Sequence, residues 1–437
     1  MVVSRGKAPS AQETFAQMAQ AAGLRGRIFI TLGLLILVRL GIYLPVPGIN
    51  REAFAQVIAN NQIFGFLDFL SGRGFSALGI FALGILPFIN ASIIMQLLTA
   101  ALPSLERLQK DEGEAGRRKI AQITRYVALG WAIAQSTGFA LFVNSAPGVV
   151  DNPGTFFILQ MIFALTAGSM FVMWAGEIIT ERGVGNGASL LIFLGIVSVL
   201  PQSINSTLDF AQAGGSVGNV LILISVFLVM IVGIVFVQEG TRRIPIVYAK
   251  RQVGRRMYRE QTSYLPLRLN QGGVMPIIFA SSVLILPLTI GANFNNPTIQ
   301  RITSYLSPNG PSPWVYTVFY LSMIVFFSYF YASLIINPVD LSQNLKKMGA
   351  SIPGIRPGKA TSQYIERVLN RLTLLGALFL GAVAIVPTVV ENATRVTTFQ
   401  GLGATSLLIL VGVAIDTAKQ IQTYVISQRY EGMVKEK

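Results

Sequence analysis

Long apolar runs, separated by short charged segments, constrain this chain more than any other feature. The 437-residue sequence is 52% hydrophobic and only 12% charged, whereas a typical soluble protein carries about twice that fraction of charge. The runs are continuous and do not alternate with polar residues, which favours membrane-spanning helices over a barrel. We therefore expect an integral membrane protein built from helices.

The apolar runs predict ten spans. Residues 1–27 precede them as a cytoplasmic amphipathic segment, and residues 426–437 follow as a cytoplasmic tail. The first run carries Arg39 and lacks a small-residue cleavage site, which predicts a retained span. Most of the basic residues lie in the termini and in alternate loops, and this bias places both termini in the cytoplasm. The predicted spans are residues 28–44, 76–102, 120–143, 155–179, 188–200, 217–237, 273–290, 314–336, 372–389 and 402–425.

The stretch of residues 63–102 contains a break. Its first part is about two helical turns long, carries Asp68 and runs into Gly72 and Gly74. Such a segment cannot face lipid, because each unpaired peptide group would cost several kcal/mol there. It can lie at membrane depth only inside protein or in a water-filled cavity. The alternative is an ordinary extracellular loop with a surface helix, and the residues alone leave both interpretations open.

Two basic loops, residues 238–272 and 337–366, are larger than the topology requires. The chain has 34 Lys and Arg against 19 Asp and Glu, a net charge of +15. In the second loop, prolines and glycines flank Arg356 and predict a tight turn with this side chain at its tip. The loops are typical of a docking surface for an anionic partner such as RNA or an acidic protein. The alternative is that their charges only anchor the topology.

The residue types that are missing exclude several classes of function. The sequence contains no cysteine and no histidine, which excludes disulfides, thiolate chemistry and imidazole metal sites. No glycine-rich phosphate loop with a following Lys-Ser/Thr is present, so we expect no ATP hydrolysis. The predicted spans contain no pair of Asp residues, which argues against an intramembrane hydrolase. A secondary transporter is one possible function for such a chain, but it would need charged residues at the membrane midplane, which this chain lacks.

Four segments resemble signatures of the SecY family, the large subunit of the bacterial protein-conducting channel. They are residues 84–98 (GILPFINASIIMQLL), 174–193 (WAGEIITERGVGNGASLLIF), 270–282 (NQGGVMPIIFASS) and 354–358 (GIRPG). The resemblance implies an all-α polytopic membrane protein of ten transmembrane helices. These form two pseudo-symmetric five-helix halves, residues 28–202 and 203–425, around a central hourglass pore with a plug helix.

The function implied by the resemblance is a channel that passes unfolded preproteins across the bacterial cytoplasmic membrane and releases membrane segments laterally. Such a channel is multi-pass, has no cofactor and no metal, and is not an enzyme. The implied partners are the small subunits SecE and SecG, the motor ATPase SecA, the ribosome through the basic loops, signal sequences and preproteins, and the lipid bilayer.

The resemblance also assigns residues to four sites. The pore ring comprises Ile85, Ile89, Ile192, Ile196, Ile278 and Ile409. Without the resemblance, a packing or lipid-facing position is the preferred interpretation for any one of them. The plug comprises Phe64, Gly65, Phe66, Leu67, Asp68, Phe69, Leu70, Ser71 and Gly72. The lateral gate comprises Asn90, Gln135, Ser281 and Ser282, whose alternative role is ordinary hydrogen bonding between helices. The site for docking of the ribosome or SecA comprises Arg243, Arg255, Arg256, Arg356 and Lys359.

Overall fold

The chain divides into two compact units, one of Met1–Gln202 with Val413–Lys437 and the other of Ser203–Gly412. The predicted amphipathic segment up to residue 21 and the predicted plug residues 64–71 lie outside the described residues. The computed structural model describes residues 22–54, 72, 74–146, 148–212, 217–248, 252–253, 256–257, 262–292, 298, 301, 304–306, 312–394 and 404–435.

Helices that pack through small side chains form the first unit. They are α1 (Ala22–Gly41), α2 (Leu86–Ala101), α3 (Pro103–Lys110), α4 (Gly113–Ser145), α5 (Thr155–Arg182), most of α6 (Gly187–Gln212) and most of α12 (Ala404–Lys435). Helix α4 packs against both α2 and α5. At this junction Ala91, Ala128 and Met173 form a buried cluster. The two alanines allow the helix backbones to approach closely, as is usual where helices associate within a membrane.

Helices also dominate the second unit. They are α7 (Val217–Glu239), α8 (Met275–Ala292), α9 (Pro313–Ile335), α10 (Pro338–Lys347), α11 (Lys359–Thr394) and the beginning of α12 (Ala404–Lys435). Helix α9 packs against α8 and α11, and α11 also contacts α7 and α10. Asn337 caps α10, because its side-chain oxygen accepts hydrogen bonds from the N–H groups of Val339 and Asp340.

The protein is a multi-pass membrane protein. Within the described residues, six helices are long and apolar enough to cross a membrane, and there are seven if α2 and α3, which meet at a bend of 102°, count as one span. Every predicted span overlaps a helix, but some of these helices carry more charge. Helix α1, for example, carries Arg25, Arg27 and Arg39. The count of ten spans therefore stays a prediction.

The second predicted span is shorter than expected, because residues 76–85 form turns and only Leu86–Ala101 is helical. Leu78 and Gly84 have positive φ angles of 44° and 52°, which no α-helix accommodates. Gly79 forms a β-bridge with Pro45. The turns are thus fixed to the chain that follows α1. Periodicity alone did not reveal this, since the turn residues are as apolar as those of the helix.

A small β-sheet corrects the prediction of an all-α chain. Strands β1 (Thr241–Tyr248), β4 (Thr262–Arg268) and β5 (Ala350–Ser351) pair antiparallel in the order β4-β1-β5. Two further short strands, β2 (Gln252–Val253) and β3 (Arg256–Met257), pair with each other. The sequence predicts loops in both regions. Ile244 and Ile246 of β1 are buried on the sheet face that covers the core, which is the period-two pattern of a half-buried strand.

Candidate functional site

Four of the six predicted pore-ring residues lie in the first unit, and all four are buried. Ile85 is the N-cap residue of α2. Ile89 follows one turn later, and its N–H donates to the Ile85 carbonyl at 3.1 Å. Ile192 and Ile196 repeat this spacing on α6. Because residues four apart lie on the same face of a helix, each pair presents its side chains on one side.

Two glycines allow the beginning of α6 to pack closely against α5, beside Ile85. A Cβ atom built on Gly176 of α5 would lie 3.2 Å from the Cδ1 atoms of both Ile85 and Leu191. A Cβ atom on Gly187, the first residue of α6, would lie only 1.9 Å from the Gly176 carbonyl oxygen. The beginning of α6 therefore touches the backbone of α5, and no larger residue fits at position 187 without movement.

The remaining predicted ring residues are Ile278 on α8 and Ile409 on α12, both in the second unit and both buried. The burial of all six side chains argues against a lipid-facing position for any of them. It is compatible with a ring and equally with ordinary packing. That the six isoleucines meet at one level stays a prediction.

Gly72 is the one predicted plug residue within the described residues. Its carbonyl oxygen accepts a hydrogen bond of 2.6 Å from Nη1 of Arg39, near the end of α1. In the sequence, Arg39 supports a retained first span and belongs to none of the predicted sites. The signal that could have identified it is its charge within an otherwise apolar run, because ionisable groups in spans usually mark functional positions.

The predicted lateral-gate residues of the first unit are Asn90 on α2, which is buried, and Gln135 on α4, which is half-buried. The Oε1 atom of Gln135 is buried and has no hydrogen-bond partner among the described residues. One turn earlier, the Nε1 atom of Trp131 is also buried and has no hydrogen-bond partner among the described residues.

In the second unit, the predicted gate residues Ser281 and Ser282 are adjacent on α8. The Oγ atom of Ser281 donates to the Ile277 carbonyl of the same helix, and Ser282 is buried. Tyr320 is a further buried polar residue on the neighbouring helix α9, which the sequence analysis missed. Its position in a run of aromatic residues gave no signal of a polar role.

The two basic loops form one structure with a common core. Buried residues from both loops and from α11 pack together. They include Ile244, Leu267, Leu345, Ile352 and Ile365. This core joins the sheet, α10 and the turn after β5, and the basic residues lie on its surface.

The predicted docking residues Arg243, Arg356 and Lys359 are exposed on this structure. Arg256 lies in β3, where the structure describes only the backbone, and Arg255 lies outside the described residues. Exposed basic residues also occur at Arg242, Lys346 and Lys347. Within the second unit the structure therefore brings basic side chains from both loops onto one packed body.

Arg356 sits in a turn that is held at several points. Gly354 and Gly358 have φ angles of 77° and 106°, which favour glycine. The Arg356 carbonyl accepts a hydrogen bond of 2.8 Å from Oγ1 of the buried Thr361. The Gly358 carbonyl accepts one of 2.7 Å from Oγ of Ser342 on α10. The predicted tight turn is therefore present, and its tip is anchored to the two flanking helices.

The described residues contain no cluster of three or more His, Cys, Asp or Glu side chains that could hold a metal ion. The groups that the structure places in the candidate sites are aliphatic side chains, amides, hydroxyls and exposed cations. These groups can pack, hydrogen-bond and attract anions.

Comparison with known proteins identifies the family. The SecY family model matches residues 79–418. The protein translocase subunit SecY of Synechococcus elongatus is 69% identical over 442 residues, and that of Synechocystis sp. is 67% identical over 446 residues. Both alignments cover 100% of this chain and 100% of the relative. The Aquifex aeolicus subunit is 44% identical over 94% of this chain and 97% of its own length.

Solved structures share the fold. One described as a protein conducting channel matches with a TM-score of 0.66 at 19% identity, covering 92% of each chain. Sec61 in a canine ribosome-channel complex matches with a TM-score of 0.63 at 18% identity, again over 92% of each chain. The matches to the family model and to the relatives cover the segments that carried the resemblance. This chain belongs to the SecY family.

Proposed function

We propose that this chain is the pore-forming subunit of a protein-conducting channel in the bacterial cytoplasmic membrane, with both termini in the cytoplasm. It passes unfolded preproteins across the membrane and releases membrane-protein segments laterally into the bilayer. The observation that carries this proposal is the high identity, over the full length, to relatives named as protein translocase subunits. SecY is a channel family and not an enzyme family, so the energy for transport comes from a partner.

The six isoleucines form the constriction of the pore in this proposal. Aliphatic side chains suit this task because they contact a passing chain of any sequence without binding it specifically. A narrow apolar constriction also loses its water when no chain is present, which blocks ions. The burial of all six residues and the two pairs spaced four apart support the assignment.

The plug, residues 64–72, closes the pore from the outside in the resting channel. A polypeptide displaces it, so the seated and displaced states must differ little in free energy. Asn90, Gln135, Ser281 and Ser282 line the lateral gate. Hydrogen bonds within membranes contribute roughly 0.6 to 2 kcal/mol each, which an apolar signal sequence can replace.

The packed basic structure, with Arg243, Arg256, Arg356 and Lys359, docks the ribosome or the motor ATPase SecA. Arg255 is assigned to the same surface. A solved relative of the same fold is a ribosome-bound channel, which supports a ribosomal partner here. Exposed arginines suit RNA because they bind phosphate through two hydrogen bonds. The small subunits SecE and SecG complete the complex, and signal sequences are the ligands of the gate.

An import assay tests the proposal. The chain, purified with the small subunits that accompany it, is reconstituted into liposomes with SecA and ATP outside. We expect an unfolded precursor to become protected from added protease only when all components are present. A precursor with an arginine in the apolar core of its signal sequence is the matched control and should stay accessible. Equal protection of both precursors, or none with the complete system, would contradict the proposal.

A further inference from the structure

Two buried hydroxyls hold the backbone at and just after Arg356. This arginine lies at the tip of the turn of residues 354–358, which we call the Arg356 turn. Oγ1 of Thr361 donates to the Arg356 carbonyl at 2.8 Å, and Oγ of Ser342 donates to the Gly358 carbonyl at 2.7 Å. Thr361 belongs to α11 and Ser342 to α10, so each of the two flanking helices supplies one bond.

These two bonds differ from those that hydroxyls commonly make within a helix. A buried serine or threonine in a helix commonly donates to the carbonyl four residues earlier. Ser328 on α9 does so, with a bond of 2.7 Å to the Ile324 carbonyl. Ser342 and Thr361 instead direct their hydroxyls to carbonyls of the Arg356 turn. The two hydroxyls therefore stabilise the turn and not their own helices.

The hydrophobic core holds the other end of the Arg356 turn. The N–H of Ile355 donates to the Ile352 carbonyl at 3.1 Å. Ile352 is buried in the core that both basic loops share, and the half-buried Ile355 packs against the same core. Pro353 and Pro357 each fix one φ angle. The backbone of Arg356 is thus constrained from both directions, whereas its side chain is exposed.

Neither hydroxyl is accessible to a docked partner, because Ser342 is only 3% exposed and Thr361 only 2%. A partner that binds the Arg356 guanidinium requires an ordered turn, and ordering a flexible turn costs conformational free energy. A turn that is already ordered avoids this cost. Removal of either hydroxyl should therefore weaken docking without removing any contact with the partner.

We propose that Ser342 and Thr361 are positioning residues of the docking site, which preorganise the Arg356 turn so that its guanidinium binds a phosphate of ribosomal RNA. The inference rests on the proposed function, because it deepens the assignment of this surface to docking. A guanidinium binds phosphate through two parallel hydrogen bonds. Lys346 and Lys347 are exposed on the same packed structure, and several cations together suit the regularly spaced phosphates of RNA.

The first readout is the order of the turn itself, measured without a partner. Hydrogen exchange with mass spectrometry, on the chain purified with its small subunits, reports the amides of residues 354–358. We expect Thr361→Val and Ser342→Ala each to raise this exchange about fivefold. Thr361→Ser keeps the hydroxyl and should leave it unchanged. Ser328→Ala is the matched control, because it removes a bond of the same length as that of Ser342 but within α9.

The second readout is the affinity of the same complex for ribosomes at a fixed salt concentration. We expect Thr361→Val and Ser342→Ala each to lower this affinity about three- to tenfold, whereas Thr361→Ser and Ser328→Ala should bind as the wild type does. In an Arg356→Ala background, Thr361→Val should cause no further loss, because the hydroxyl acts through the arginine. Ser342→Ala keeps the test valid even if Thr361→Val does not fold.

The outcomes distinguish this inference from the proposed function. Unchanged exchange in both hydroxyl variants, or an equal loss of affinity from Thr361→Val with and without Arg356, would overturn the inference while ribosomal docking stands. Weaker binding of SecA with unchanged ribosome affinity would assign the turn to a protein partner and overturn the choice of RNA. A wild-type complex that binds no ribosomes would contradict ribosomal docking itself, and the inference with it.

Discussion

The close contact between α5 and α6 allows a quantitative prediction. Gly187→Ala places a Cβ atom 1.9 Å from the Gly176 carbonyl oxygen, so the helices must move apart by more than 1 Å to reach an ordinary van der Waals distance, which is about 3.5 Å or more. Overpacking of this kind costs about 1–3 kcal/mol. Because the displaced helix α6 carries Ile192 and Ile196, we expect both lower stability and an altered pore.

The expected change in melting temperature follows from the size of the chain. The entropy of unfolding is about 2.1 cal/mol/K per residue. For a chain of 437 residues that unfolds as one unit, each kcal/mol of lost stability therefore lowers the melting temperature by about 1 °C. Gly187→Ala should therefore lower the Tm by about 1–3 °C. Differential scanning fluorimetry of the detergent-solubilised complex measures this, and the conductance of resting channels reports the pore.

Gly130→Ala is the matched control. Gly130 lies within α4, and a Cβ atom there would meet nothing within 4 Å. Alanine is better than glycine in a helix by about 1 kcal/mol, so this variant should melt at the wild-type temperature or slightly above it. A Gly187→Ala variant that is as stable as Gly130→Ala, with unchanged resting conductance, would refute the argument that this glycine sets the position of α6.

Two further predictions concern docking and the plug. Arg356→Glu should reduce binding of SecA or ribosomes by about tenfold or more. Co-sedimentation measures this binding. Arg118→Glu is the matched control, because it makes the same charge reversal on the exposed beginning of α4, and it should not reduce binding. Equal loss in both variants would mean that only net charge matters. Deletion of residues 64–72 should raise resting ion conductance in planar bilayers while import persists. A deletion variant that is as tight as wild type would assign these residues to an external loop.

Much of the helical architecture could be predicted from the sequence, because a membrane forces each apolar run into a helix with internally satisfied backbone groups. The family assignment was confirmed, since its motifs are long and independent. The isoleucine pairs were identified by resemblance, and their spacing of four explains why they share a helix face. Their meeting in one ring depends on how separate helices are arranged, which local patterns do not specify.

The features that were missed depend on contacts between distant residues. The pairing of β1 with β5 joins two loops that are about a hundred positions apart in the sequence, and no periodicity within either loop predicts such a partner. Residues 76–85 are as apolar as a span, yet they form turns because Gly79 and Gly84 permit close approach and a positive φ angle. The bond from Arg39 to Gly72 likewise follows only from the folded chain.

The pore ring is the central claim, and cross-linking to a passing chain tests it most directly. A photo-reactive amino acid replaces Ile89 in one variant and Ile36 in another. Ile36 is an isoleucine of α1 that is 59% exposed on the surface expected to face lipid. A precursor stalled during import by a folded domain at its end provides the target. We predict that position 89 cross-links to the stalled precursor and that position 36 cross-links only to lipid. Cross-links from position 89 to lipid alone, with the precursor demonstrably stalled in the channel, would contradict the account.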